Sequence, residues 1–66
     1  MNLAKFNAEL DASGYAKTVI AERSGVPYRR LLAICYGEVR CTVEDAASIS
    51  DFLKWDRKTK HDIFLL

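Results

Sequence analysis

"GVPYRRLLAICYGE", residues Gly25 to Glu38, is the stretch on which the reading of the whole chain turns. Pro27 stands at a helix start, where its fixed φ and missing N–H cost nothing, and Gly37 stops the helix, so a helix is predicted over about residues 27–36. At about 3.6 residues per turn, Leu31, Ile34 and Cys35 fall on one side. Leu32, Ala33 and Tyr36 fall elsewhere, next to Arg29 and Arg30. A short helix that is apolar on two sides needs a core for one of them and a partner for the other.

Working outward, turn residues divide the chain into five short helical segments, and no alternation of the β type is long enough to compete. Helix 1 is expected to begin near Asn2 as cap, to carry Leu3, Phe6 and Leu10 inward and to end at "DASG", where Gly14 suits the left-handed conformation. Helix 2, about Lys17 to Ser24, presents Ile20 and Ala21 to the core. "CTVEDAASISDFL" reads as helix 4, with Thr42 as cap, Asp45 in a capping-box position, and Val43, Ala46, Ile49 and Leu53 on its inner side. Asp56 caps a fifth helix that turns Ile63 and Phe64 inward, and Trp55 reads as core. The fold class expected is therefore all-α: one five-helix bundle over residues 1–66.

Half of the residues are apolar, which suits a globular chain that buries a core. Two cysteines make a poor disulfide framework, and Cys35 in a core helix with Cys41 in a loop reads as a pair of reduced thiols. "MNLAKFNAEL" is too interrupted by polar residues for a signal peptide or a membrane span, so a cytoplasmic protein is expected. Net charge is only +1, but it is unevenly spread. From Lys17 to Arg40 there are five basic residues against two acidic ones, while the remainder holds five against seven.

Two helices joined at "SGV" form a helix-turn-helix pattern, and the spacing carries the information. A small Ala21 lets the helices cross closely, Gly25 supplies positive φ, and Val26, Leu31 and Ile34 fill the wedge between them. Here the run "IAERSGVPYRRLLAICYGEVRCTVEDAASISDFL" resembles the Cro/CI-like, or XRE-type, repressors of phages and bacteria, the likeness covering about residues 3–55. It implies a lambda-repressor-like fold that places its recognition helix in the major groove of double-stranded operator DNA. Tyr28, Arg29, Leu32 and Ala33 match the base-facing positions of that family, and Lys17, Arg30, Tyr36 and Arg40 match positions that touch phosphate. Arg29 suits the O6 and N7 of a guanine, and Leu32 or Ala33 a thymine methyl.

The chain departs from the family pattern in three places. Lys17 stands where Gln is common, which favours a phosphate contact over base readout. Pro27 replaces the usual capping Ser or Thr. Leu32 is bulkier than most residues at its position, which fits an unusual base preference, packing against helix 2 or another subunit, or a helix adapted to bind protein.

No other grouping suggests chemistry. Cys35, Cys41 and His61 do not follow a zinc spacing, Glu44 and Asp45 favour the helix macrodipole without a nucleophile beside them, and "WDRKTKH" reads as a solvated helix face. The expectation is a regulator without enzymatic activity, cofactor, metal, membrane or small-molecule substrate, acting as a Cro-like repressor by operator occupancy. A weak homodimer is expected to form through Leu65 and Leu66, which helix 5 leaves over. The alternative is a helix-turn-helix module that binds protein, such as an antirepressor or a toxin–antitoxin partner.

Overall fold

Residues 1–65 are described by the computed structural model, and they form five helices: α1 (Leu3–Ala12), α2 (Lys17–Ser24), α3 (Tyr28–Cys35), α4 (Val43–Leu53) and α5 (Arg57–Phe64). Among the described residues there is no strand. Each cap expected from a polar side chain is made. Asn2 Oδ1 accepts from the Lys5 N–H at 3.0 Å, and Asp56 Oδ1 accepts from the Thr59 N–H at 2.8 Å. At α4 the capping box closes both ways: the Asp45 N–H donates to Thr42 Oγ1 at 3.1 Å, and the Thr42 N–H donates to Asp45 Oδ2 at 3.0 Å.

Two glycines are required by the backbone. Gly25 takes φ +82° and donates to the Ala21 carbonyl at 3.0 Å, ending α2 and turning the chain toward α3. Gly37 takes φ +75°, and a Cβ there would stand 3.1 Å from Leu3 Cδ2, so both its conformation and its space resist a larger residue. Pro27 is the residue immediately before α3, one position outside the helix start expected for it.

Every helix contributes to a single core. Phe6 and Leu10 come from α1, Ile20 and Ala21 from α2, Leu31, Ile34 and Cys35 from α3, Ile49 from α4 and Ile63 from α5, with Val26 wedged in the turn. Helix α2 packs on α3 and α4, while α1 packs on α5 and α3. The chain ends are tied together where the Asn2 N–H donates to the Ile63 carbonyl at 2.6 Å. Asn7 Nδ2 donates to the Cys35 carbonyl at 2.9 Å, satisfying one acceptor at the end of α3. Around Phe6, the ring of Trp55 stands edge-on with centroids 6.0 Å apart, and Phe64 lies 6.3 Å away. Trp55 is half-buried against the core rather than inside it.

Of the residues expected inward, Leu3, Ala46, Leu53 and Phe64 are half-buried and one, Val43, turns outward with 81% of its surface exposed. The cause at Val43 is the rotation of α4. Asp45 is turned inward by the partners that its carboxylate finds, and at about 100° per residue position 43 then points to the opposite side, while Ile49 returns to the core. Cys35 is buried, Cys41 is half-buried in the loop, and both are free thiols. Leu65 follows α5 with 71% of its surface exposed; Leu66, the other residue expected at a dimer contact, lies outside the described residues.

Candidate nucleic-acid interface

Three residues, Gly25, Val26 and Pro27, separate α2 from α3. Ala21 and Val26 are both buried between the helices, so the side of α3 that faces the core is set by Leu31, Ile34 and Cys35. The opposite side carries the residues singled out from the sequence. Arg29 is exposed in its first turn, Leu32 and Ala33 are half-buried at its middle and Tyr36 is 70% exposed at its end, while Tyr28, exposed at the helix start, lies about 100° round from Arg29 on the flank shared with Cys35. Positions 29, 32, 33 and 36 follow helical spacing and form one stripe. It has a cationic end, an apolar middle and an aromatic end.

Around this stripe the basic residues differ in how far they are committed to the protein. Arg40 is exposed in the loop between α3 and α4. Lys17, the first residue of α2, is half-buried, with Nζ 3.9 Å from Asp11 Oδ1, a long surface pair of the kind that contributes little. Arg30 is held firmly. Its Nε donates to both carboxylate oxygens of Asp45 at 3.1 Å, and its Nη2 donates to Asp45 Oδ2 at 2.6 Å and to the Arg40 carbonyl at 3.2 Å. This fork joins α3 to the start of α4 and to the intervening loop. Of the four residues expected at phosphate, Arg30 is thus the one that the structure engages inside the domain.

Arg30 holds the Asp45 carboxyl down to about 2; burial opposes the shift and the hydrogen bonds from Thr42 assist it. The hydrogen bonds that Arg30 makes to Asp45 raise the Arg30 pKa in turn, against the effect of burial. Because Asp45 ionises more readily in the folded chain than at its ordinary 3.8, its contribution to stability is complete above that value and is lost as pH falls toward about 2. Asp45→Asn is expected to cost roughly 1–3 kcal/mol near neutral pH, less than a fully buried pair because the Arg30 side chain is partly in water. It should also flatten the acid limb of the stability curve, measured by urea unfolding at several pH values. An acid limb as steep in the variant as in the parent would reject this role.

Helix starts supply a further distinction. Helices α1, α4 and α5 are capped by side chains, whereas α2 follows Ala16 and α3 follows Pro27, and neither start receives a side-chain cap. The first turns of the two paired helices therefore lack the side-chain acceptor that the other three possess.

The thiols do not extend the site. Burial raises the pKa of both cysteines: for Cys41 to about 11, with the charge of Asp45 acting in the same direction and Arg30 opposing, while at Cys35 the nearby Lys17 opposes. Among the described residues, no three His, Cys, Asp or Glu side chains are placed to hold a metal ion. Among the described residues, no helix is long and apolar enough to cross a membrane. Comparison of the chain with protein-family models, curated proteins and solved structures finds no match.

Sequence reasoning overlooked two features near this surface. The ion pair between Arg30 and Asp45 joins positions fifteen apart, and its signal was an acid at the third position of a helix, on the capping side that faces inward. The exposure of Val39 and Val43 was also unanticipated; at Val43 it follows from the inward turn of Asp45 on the same helix.

Proposed function

We propose that this chain is a sequence-specific double-stranded-DNA-binding transcriptional regulator, a Cro-like repressor that acts by occupying an operator. The observation that carries the proposal is the outer stripe of α3. A short helix whose inner side is fully engaged presents Arg29, Leu32, Ala33 and Tyr36 together on the other side, beside an exposed Arg40. A major groove takes a helix of this width, a guanine edge accepts an arginine fork, and a thymine methyl accepts an aliphatic side chain. The uncapped starts of α2 and α3 add backbone donors suited to phosphate oxygens.

On this reading Tyr28, Arg29, Leu32 and Ala33 meet bases, and Lys17, Tyr36 and Arg40 meet the backbone. Arg30 acts mainly by holding the α3–α4 loop, and so the Arg40 backbone, in place. Such a protein works where the DNA is, in the bacterial cytoplasm, and as a homodimer, since one recognition helix touches too few base pairs to select a site. The helix-turn-helix type and the relation to Cro/CI-like repressors belong to the same proposal. They rest on the residues of α2, the turn and α3.

Arg40→Ala is expected to weaken binding to specific and non-specific duplexes alike and to reduce the slope of log affinity against log salt by about one. Fluorescence anisotropy at several salt concentrations measures both. A loss confined to one base preference would reject the phosphate role. No binding to any duplex, with a partner protein bound instead through the same stripe, would favour the interaction-module alternative.

A further inference from the structure

The run "WDRKTKH", residues 55–61, forms the turn before α5 and the first five residues of that helix. Lys54, Arg57, Lys58 and Lys60 stand against Asp56 and Asp62, which leaves +2 within nine residues of a chain whose total is +1. Arg57, Lys58 and His61 are exposed, and with the half-buried Lys60 they border an open concavity of about 600 Å³. Among the described residues, no acid lines it. The stability of α5 does not account for these charges. Arg57 and Lys58 are its first two residues, at the positive end of the helix macrodipole, where cations are unfavourable. Arg57 also stands one turn before Lys60, so that like charges are neighbours on the helix surface. Of these three cations only Lys58 has a carboxylate partner among the described residues, Asp62 at 3.1 Å, while the Asp56 carboxylate accepts from the Thr59 N–H as the helix cap.

We propose that this face of α5 is a second nucleic-acid contact, one that grips the phosphate backbone of duplex DNA without reading its sequence. The chemistry of the lining selects the occupant. Its polar ends are guanidinium, ammonium and imidazole groups, and no aromatic or aliphatic residue stands among them, whereas a protein interface is built around such an anchor and is poor in lysine. Trp55 and Phe64, the aromatic residues on either side, are half-buried and packed around Phe6, so they offer no stacking platform of the kind single strands use. A duplex backbone asks only for cations spaced along it. The recognition stripe lies on α3, which packs on α2 and α1, while α5 packs on α1. The two surfaces belong to different helices and can be altered independently.

Fluorescence anisotropy of the full chain with a random-sequence duplex, over a series of salt concentrations, tests this contact. The double variant Arg57→Gln, Lys58→Gln removes two exposed cations and should weaken binding at least about fivefold, with circular dichroism unchanged. The slope of log affinity against log salt should fall by about two, and by about three when Lys60→Gln is added. The loss should be equal on every duplex. A double variant that binds like the parent overturns the proposal, as does a loss confined to one sequence. Phosphatidylserine vesicles or polyglutamate bound by the parent and released by the double variant, with duplex affinity the same in both, assign the face to another partner and likewise overturn it. Duplex binding that survives Arg29→Ala with Arg40→Ala but is lost in the α5 variant leaves this contact standing and removes the reading of α3; the reverse pattern removes this contact and leaves α3. A parent chain that binds no duplex overturns both.

Discussion

Replacing Phe6 with alanine is expected to leave the domain largely unfolded at physiological temperature. Phe6 is fully buried, and its ring is the meeting point of α1 with Trp55 and Phe64, which fasten α5 to the rest of the molecule. Removing a buried phenyl ring costs about 3–5 kcal/mol, through lost transfer energy and the cavity left behind. A domain of this size holds roughly 3–10 kcal/mol in all, taking about 0.05–0.15 kcal/mol per residue. The loss is thus comparable with the whole stability. At about 4–8 °C per kcal/mol for a small domain, thermal unfolding followed by circular dichroism should show a Tm lower by at least about 12 °C, or no cooperative transition at all. A fall of only a few degrees would show that α5 and Trp55 are not joined to the core through this ring.

The second large effect is expected in binding. Arg29 is exposed on the outer side of α3, one turn before Leu32 and Ala33, and among the described residues it makes no ion pair with a carboxylate. Arg29→Ala should cost about 1–3 kcal/mol on the preferred duplex, or about 5- to 150-fold in Kd, while non-specific affinity falls much less. Preference at one guanine position should relax. Stability should hardly change, which separates this variant from Asp45→Asn and Phe6→Ala. Competition binding against duplexes altered at each base pair reads the effect; an equal loss on every sequence would make Arg29 a phosphate contact.

Most of the helical framework is legible in the amino-acid order, because its signals are local. Asn2, Thr42 and Asp56 cap the helices expected of them, and Gly14, Gly25 and Gly37 all take positive φ after a helix. The apolar spacing of Phe6 and Leu10, of Ile20 and Ala21, and of Leu31, Ile34 and Cys35 finds the buried side of the first three helices. Helix α4 shows where local signals stop. Its apolar positions suggest that Val43 faces inward, but Arg30 and the Thr42 amide together make it favourable for Asp45 to be the buried residue, and the helix turns accordingly. That partner lies in another helix, so only the packed chain reveals it. The outer stripe of α3 is legible by subtraction, as whatever the core does not take.

Selection of bound fragments from a pool of random duplex DNA tests operator recognition most directly, since it detects binding and reads the site together. The expected result is enrichment of a short motif, repeated in inverted orientation with half-site centres one helical turn apart, with at least one guanine whose enrichment disappears in Arg29→Ala. A pool that stays random after repeated rounds at low salt, with the protein shown to be folded, would contradict sequence-specific DNA binding.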